Sequence, residues 1–327
     1  MPRYPKHSGT GAQRLSEFPR PKRPGRFGAS PRWNADNGGT RRLRTAVPTT
    51  TAIRPGCRWE RLIAARASHI IATCTDDAAE LTRMGVPRRR ISVVPRGVDL
   101  TLFSPRGPVA RREGVRHRVV AAGSLVPRKG FDMTIRALAA LPDTELVIAG
   151  GGAADAAEMR RLRRVAAEAG VTERLRLPGR FPRRAVAPLL RSAEVVLCTP
   201  RYAPGGAVSL EAMACGRPVV TTAGGGPADA VIDGVTGRVV PSADPKSIAA
   251  AVRPLLDDGL LRDVWGAAGA ERARTRYSWD RIAALTATVY RQVGAPAPEP
   301  EHTATEPGPG RTAPSAAARG NLVPRGC

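Results

Sequence analysis

Between residues 59 and 294 the chain alternates short β-branched apolar runs with amphipathic stretches of helical period. The runs predict strands over 69–73, 91–94, 118–122, 145–149, 174–177, 194–198, 218–222 and 238–240. Between them the pattern predicts helices over 76–84, 131–141, 154–169, 183–192, 208–215 and 245–257, with two more near 259–275 and 279–293. In 245–257, Ile248, Val252, Leu255 and Leu256 fall at i, i+4, i+7 and i+8, the stripe of one buried helix face. Strand–helix alternation with continuously apolar strands predicts a parallel sheet covered on both faces. The expected fold class is therefore α/β, a single Rossmann-like doubly wound parallel sheet. Its main unit spans 118–241, with a shorter connecting unit before it.

The flanks lack such a pattern. Residues 1–58 are rich in Pro, Arg, Gly, Thr and Ser, too poor in apolar surface to offset chain entropy, and are expected to form a disordered basic arm. Residues 295–327, opening on Ala-Pro-Ala-Pro-Glu-Pro, are expected to form a disordered Pro/Ala/Gly-rich tail. The domain reading is thus an arm over 1–58, a folded domain over 59–294 and a tail over 295–327. Across all 327 residues, 42% are hydrophobic, enough for a sizeable core, and no run approaches the length of a transmembrane helix. No apolar segment follows the basic N-terminus, so no secretory signal is visible. The odd set Cys57, Cys74, Cys198, Cys215 and Cys327 has neither a CxxC pair nor zinc spacing. A reduced, cytoplasmic chain is the simplest reading, with a peripheral position at the inner membrane face as its variant.

A net charge of +24 invites a nucleic-acid hypothesis. Two facts weaken it. Only four of the 52 basic residues are lysine (Lys6, Lys22, Lys129 and Lys246), and arginine with abundant Ala, Gly and Pro reflects GC-rich coding. The charge is also concentrated: residues 1–58 carry 13 Lys/Arg against Glu17 and Asp36, a net of +11. The few aromatics of that arm (Tyr4, Phe18, Phe27, Trp33) do not interleave as a base-stacking platform would. A nucleic-acid partner is not expected.

In doubly wound sheets, ligands bind beyond the carboxyl ends of the strands. Four loops lie there. Gly123-Ser-Leu-Val-Pro-Arg-Lys-Gly130 sets Arg128 and Lys129 just before a helix, a setting that suits phosphate as well as a solvated basic turn. Ala149-Gly-Gly-Gly152 matches neither GxGxxG nor the P-loop. Thr199-Pro-Arg-Tyr-Ala-Pro-Gly-Gly206 leads into a helix whose Glu211 could accept ribose hydroxyls or simply complement the helix dipole. Ala223-Gly-Gly-Gly-Pro227 again joins strand to helix. Together they set glycines, a Lys/Arg pair and one carboxylate along one sheet edge, as a nucleotide diphosphate requires. His7, His69, His117 and His302 form no ligand spacing, no GxSxG elbow occurs, and Cys215 lies in an apolar helix. Neither a metal site nor a nucleophile is expected.

At these residues the chain resembles the C-terminal, donor-binding half of retaining GT-B glycosyltransferases (group 1, family 4). The matching stretches follow the family's order: Val93-Val-Pro-Arg-Gly-Val-Asp99 with Phe103, Gly123 to Phe131, Leu146-Val-Ile-Ala-Gly-Gly151, Leu210-Glu-Ala-Met-Ala-Cys-Gly-Arg-Pro-Val-Val220 and Asp233-Gly-Val-Thr-Gly237. Tyr277-Ser-Trp-Asp280 looks like the start of the family's closing helix. The resemblance implies catalytic roles for Lys129, which would neutralise a donor diphosphate, and Glu211, which would bind the ribose. Gly123, Ser124 and Arg128 would complete the diphosphate loop. Backbone N–H groups of Gly206, Ala207 and Val208 would face phosphate and sugar, and Arg180 and Phe181 would hold the base. The implied reaction moves a hexose from a nucleotide sugar such as UDP- or GDP-hexose to an acceptor hydroxyl with retention, needing no cofactor and no metal.

Three positions depart from the family pattern. The first Glu of its Glu-x7-Glu pair is Ala203, its Phe-Gly is Gly205-Gly206, and the Arg after the first loop glycine is Ser124. Only 58 unpatterned residues precede the first matching helix at 60–67, where the family carries an acceptor domain. The expectations are an incomplete chain, inactive by itself, that pairs as a homodimer or with a separate acceptor-domain chain. The alternative is a nucleotide-sugar-binding module without catalysis, or a degenerate remnant of the family; the second alternative is a basic nucleic-acid-binding protein acting through residues 1–58.

Overall fold

The computed structural model describes residues 58–294 except 113, 115, 153–154, 204 and 242–243. The basic arm before residue 58 and the Pro-rich tail from 295 lie outside the described residues, as do Cys57, Cys327, His7 and His302.

The described residues open with helix α1 (Arg58–Arg66), strand β1 (Ile70–Ala72), helix α2 (Thr75–Arg83) and strand β2 (Ile91–Val93). Six further strands follow: β3 (His117–Ala122), β4 (Thr144–Ala149), β5 (Leu175–Gly179), β6 (Val195–Cys198), β7 (Val219–Thr222) and β8 (Gly237–Val240). They are connected by α3 (Phe131–Leu138), α4 (Ala156–Glu168), α5 (Arg183–Arg191), α6 (Ala207–Ala214) and α7 (Gly225–Ala230). Helices α8 (Pro245–Asp257), α9 (Gly259–Arg276) and α10 (Trp279–Gln292) complete the described chain. The last three begin where capping chemistry dictates. Asp244 accepts the Ser247 N–H at 2.8 Å ahead of Pro245, Asp258 accepts that of Leu261 at 2.9 Å, and Ser278 that of Arg281 at 3.3 Å.

Strands β3 to β8 form one parallel sheet in the order β5-β4-β3-β6-β7-β8. The winding reverses between β3 and β6, the topological switch point of a doubly wound sheet. Because successive residues face opposite sides, each strand feeds two cores. Val119, Ala121, Leu146, Ile148, Val195 and Leu197 pack against α3, α4 and α8, where Ile248, Val252, Leu255 and Leu256 form the stripe read from the sequence. Val120, Val147, Val196 and Val219 pack on the other face against α5, α6 and Ala273 of α9.

The expected single sheet holds for six of the eight strands. β1 and β2 instead pair with each other, Ile70 opposite Ile91, as a separate two-stranded parallel sheet. Apolar runs identify strands but carry no record of which edge they join. Helix α10 returns to this small sheet, packing Ile282 and Val289 on Val94, while Val98 donates its N–H to the Tyr277 carbonyl at 2.8 Å. Helix α7, expected after the Ala223–Pro227 loop but given no bounds, begins within the three glycines themselves.

Helices α2 and α7 exchange caps. Asp229 accepts the Thr75 N–H at 2.7 Å and its hydroxyl at 2.6 Å, and Asp76 accepts the Gly225 N–H at 2.6 Å. Asp229→Ala is expected to lower unfolding free energy by about 1 kcal/mol, the usual loss for a helix cap, measured as a lower urea midpoint at unchanged m-value.

Candidate functional site

The carboxyl ends of β3 and β6 open into a cleft lined by Lys129, Phe131, Cys198, Ala203, Gly206 and Val208, among others. Two loops wall it and are tied together. The N–H of Arg201 donates to the Arg128 carbonyl at 2.8 Å, its guanidinium reaches buried Asp132 at 3.0 Å, and the Thr134 and Thr199 hydroxyls bond at 2.8 Å. Gly130, at φ 71°, lets the first loop approach so closely that a Cβ there would lie 2.1 Å from the Thr199 carbonyl oxygen. Gly206, also left-handed at φ 54°, is the N-cap of α6 with no side-chain cap. A Cβ on it would lie 2.9 Å from the Gly226 carbonyl carbon. The first-turn N–H groups after Gly206 have no intrahelical acceptor and carry the positive end of the helix dipole into the cleft.

Lys129 sits half-buried in this cleft, with no carboxylate in ion-pair range among the described residues. Burial holds its pKa below the ordinary lysine value; Cys198 opposes that shift, and the neighbouring Arg128 and Arg96 charges reinforce it. Glu211 lies in the second turn of α6 and is only 6% exposed. Burial raises its pKa, against the opposing pull of Arg183, whose Nη1 lies 2.6 Å from Oε1.

The structure gathers some expected site residues and spreads others. Lys129, Gly206, Ala207 and Val208 line one cleft. Gly123 lies against the Lys129 stem, 3.6 Å from Cε to an ideal Cβ, while Ser124 is exposed. Arg128 contributes charge beside Lys129 from the wall. Phe181 packs on the second core and Arg180 is exposed; neither lines the cleft, nor does Glu211. Ala203, where the resemblance implies a carboxylate, is buried in the cleft wall with its carbonyl accepting the Gly226 N–H at 3.0 Å. Arg183 and Arg96 were absent from the expected site, because one arginine among so many carries no signal.

Among the described residues, burial disfavours the thiolate form of all three cysteines. Burial pushes Cys74 to about 12 and Cys198 and Cys215 to about 11. His69 bonds Ser92 across the small sheet at 2.9 Å, a structural part. Among the described residues no helix is long and apolar enough to cross a membrane.

Fold and cleft together define a Rossmann-like domain of the GT-B type. Residues 111–272 match the model of the glycosyl transferases group 1, and 51–102 that of glycosyltransferase family 4. The D-inositol 3-phosphate glycosyltransferase of Xylanimonas cellulosilytica is 35% identical over 247 residues, 71% of this chain and 59% of that protein. A GDP-mannose-dependent alpha-(1-6)-phosphatidylinositol monomannoside mannosyltransferase of Mycolicibacterium smegmatis is 36% identical over 211 residues, 59% of this chain and 54% of that one. Among solved structures, sucrose-phosphate synthase from Thermosynechococcus elongatus superposes with a TM-score of 0.66 at 30% identity, covering 72% of this chain and 60% of that chain. The chain belongs to the glycosyl transferase group 1 family. It spans under three fifths of the length of these curated relatives.

Proposed function

We propose that the chain holds a nucleoside-diphosphate sugar in the switch-point cleft and serves transfer of its hexose to an acceptor hydroxyl with retention of configuration. The observation that carries this reading is Lys129, a half-buried cation with no carboxylate partner among the described residues, facing the open N-terminus of α6 across one cleft. A cation withdrawn from water and left unpaired is unfavourable until an anion joins it. A diphosphate bridging Lys129 and the N–H groups of Gly206 to Val208 satisfies both. As the sugar departs, the same groups stabilise charge growing on the leaving diphosphate. Glu211 accepts from the ribose, and Arg128 adds charge that Ser124 does not.

The test is calorimetric titration of the full chain with UDP, GDP and ADP; the name of the mycobacterial relative gives reason to include GDP. Binding with net proton uptake is expected at alkaline pH, below the ordinary lysine value of about 10.5. The sign follows from burial: the free Lys129 pKa is lowered, phosphate raises it, so protons are taken up on binding and affinity falls as pH rises. Titrations in buffers of different ionisation heat measure this uptake. A folded chain that binds none of the three nucleotides overturns the reading.

Ala203 favours a second reading, a module that binds a nucleotide sugar without transferring it. Detectable hexose transfer by the purified chain would exclude that alternative.

A further inference from the structure

Arg183 has no part in the reading above, yet it is the side chain that reaches Glu211. Its Nη1 lies 2.6 Å from Glu211 Oε1, and its guanidinium carbon sits 4.8 Å from the centroid of Phe103, a fully buried ring. The Arg183 side chain is 60% exposed and that of Glu211 only 8%, so the pair connects solvent to a buried carboxylate. Exposed ion pairs contribute little, but here one partner is withdrawn from water. Among the described residues no hydrogen bond reaches the second oxygen, Oε2. The charged groups acting on Glu211 are Arg183 from α5 and Arg96 after β2; its own charge in turn raises the neighbouring thiols Cys198, ending β6, and Cys215, capping α6, which stay neutral at physiological pH.

The geometry points to Arg183 as a positioning residue for ribose recognition: by bonding Oε1 and stacking on Phe103 it fixes the Glu211 carboxylate and leaves Oε2 to accept the vicinal hydroxyls of a nucleoside. This rests on the donor-site reading. It adds a specific dependence, that discrimination between ribose and a sugar lacking both hydroxyls runs through Arg183. A carboxylate anchored at one oxygen keeps a single orientation, and the guanidinium beside it opposes the upward push of burial. Without Arg183 it is free to rotate, and burial drives it toward the neutral acid, which accepts hydroxyls poorly.

The experiment titrates the full chain with whichever of UDP, GDP and ADP binds most tightly and with its 2′,3′-dideoxy form. The wild type is compared with Arg183→Ala, Arg183→Lys and Glu211→Ala. The wild type is expected to prefer the ribose form by about 10- to 100-fold, as hydrogen bonds to a charged group allow. Arg183→Ala is expected to reduce that ratio below about threefold, mainly by weakening the ribose form, and Arg183→Lys to restore only part of it, by keeping the charge at Oε1 without the flat guanidinium that stacks on Phe103. Weakening both forms equally, or leaving the ratio intact, would show that Arg183 only braces the fold and would overturn the inference. Tighter binding with the ratio kept would make Arg183 a plug, and overturns it too. The failures are separable. No nucleotide binding by the wild type rejects the donor site and this inference with it. An unchanged ratio in Glu211→Ala rejects the ribose role of Glu211 itself. Circular dichroism of each variant checks folding.

Discussion

Lys129→Ala is expected to weaken nucleoside-diphosphate binding by about 100-fold, the upper range for losing a charge-assisted contact to phosphate. The free protein should be no less stable, since the substitution removes a half-buried cation that has no carboxylate partner among the described residues. That divergence, affinity lost while the urea midpoint holds or rises, distinguishes a ligand-binding lysine from one that braces the loop. Lys129→Arg should retain part of the affinity by preserving charge, but its wider fork must fit beside Phe131 and Cys198 in the same cleft. Alkaline proton uptake on binding should also vanish in Lys129→Ala. Retained affinity in Lys129→Ala would place the phosphate elsewhere, and the cleft would then lose its principal claim to be the donor site.

The sequence made the secondary structure legible because apolar period and burial agree along most of the chain. Each expected strand is present, and the stripe of Ile248, Val252, Leu255 and Leu256 lies in the core as its spacing requires. What escaped depends on tertiary pairing. The β1 and β2 runs look like any buried strand, but their partners are each other, and the start of α7 is hidden by glycines that usually mark a loop. The site divides in the same way. Lys129 stood out as one lysine among arginines, and the glycine loops marked where backbone comes close. The Arg183–Glu211 pair joins residues 28 positions apart through the packing of α5 on α6. No local pattern encodes that proximity, and a single arginine in an arginine-rich chain gives no contrast.

A larger effect on stability is expected at the amino ends of two interior strands, where Arg118 of β3 and Glu145 of β4 stand directly across from each other. Both are buried, at 6% and 3% exposure, and joined by an ion pair, with Ser192 Oγ 3.0 Å from the arginine. Glu145→Leu leaves the guanidinium buried with only a neutral hydroxyl, and should cost about 3–5 kcal/mol of unfolding free energy. The double variant Arg118→Leu/Glu145→Leu removes both desolvated charges and should recover most of that loss, so the two substitutions are strongly non-additive. Arg176, 3.9 Å from the other Glu145 oxygen and half exposed, should matter little on its own. Denaturant melts of the four-member cycle measure the coupling, and a single-variant cost below about 1 kcal/mol would show that the pair is not desolvated as its burial implies. Because these residues begin their strands while the cleft lies where the strands end, nucleotide affinity of the folded double variant should match the wild type. A stability defect without a binding defect would separate the device that holds the sheet together from the one that holds the ligand.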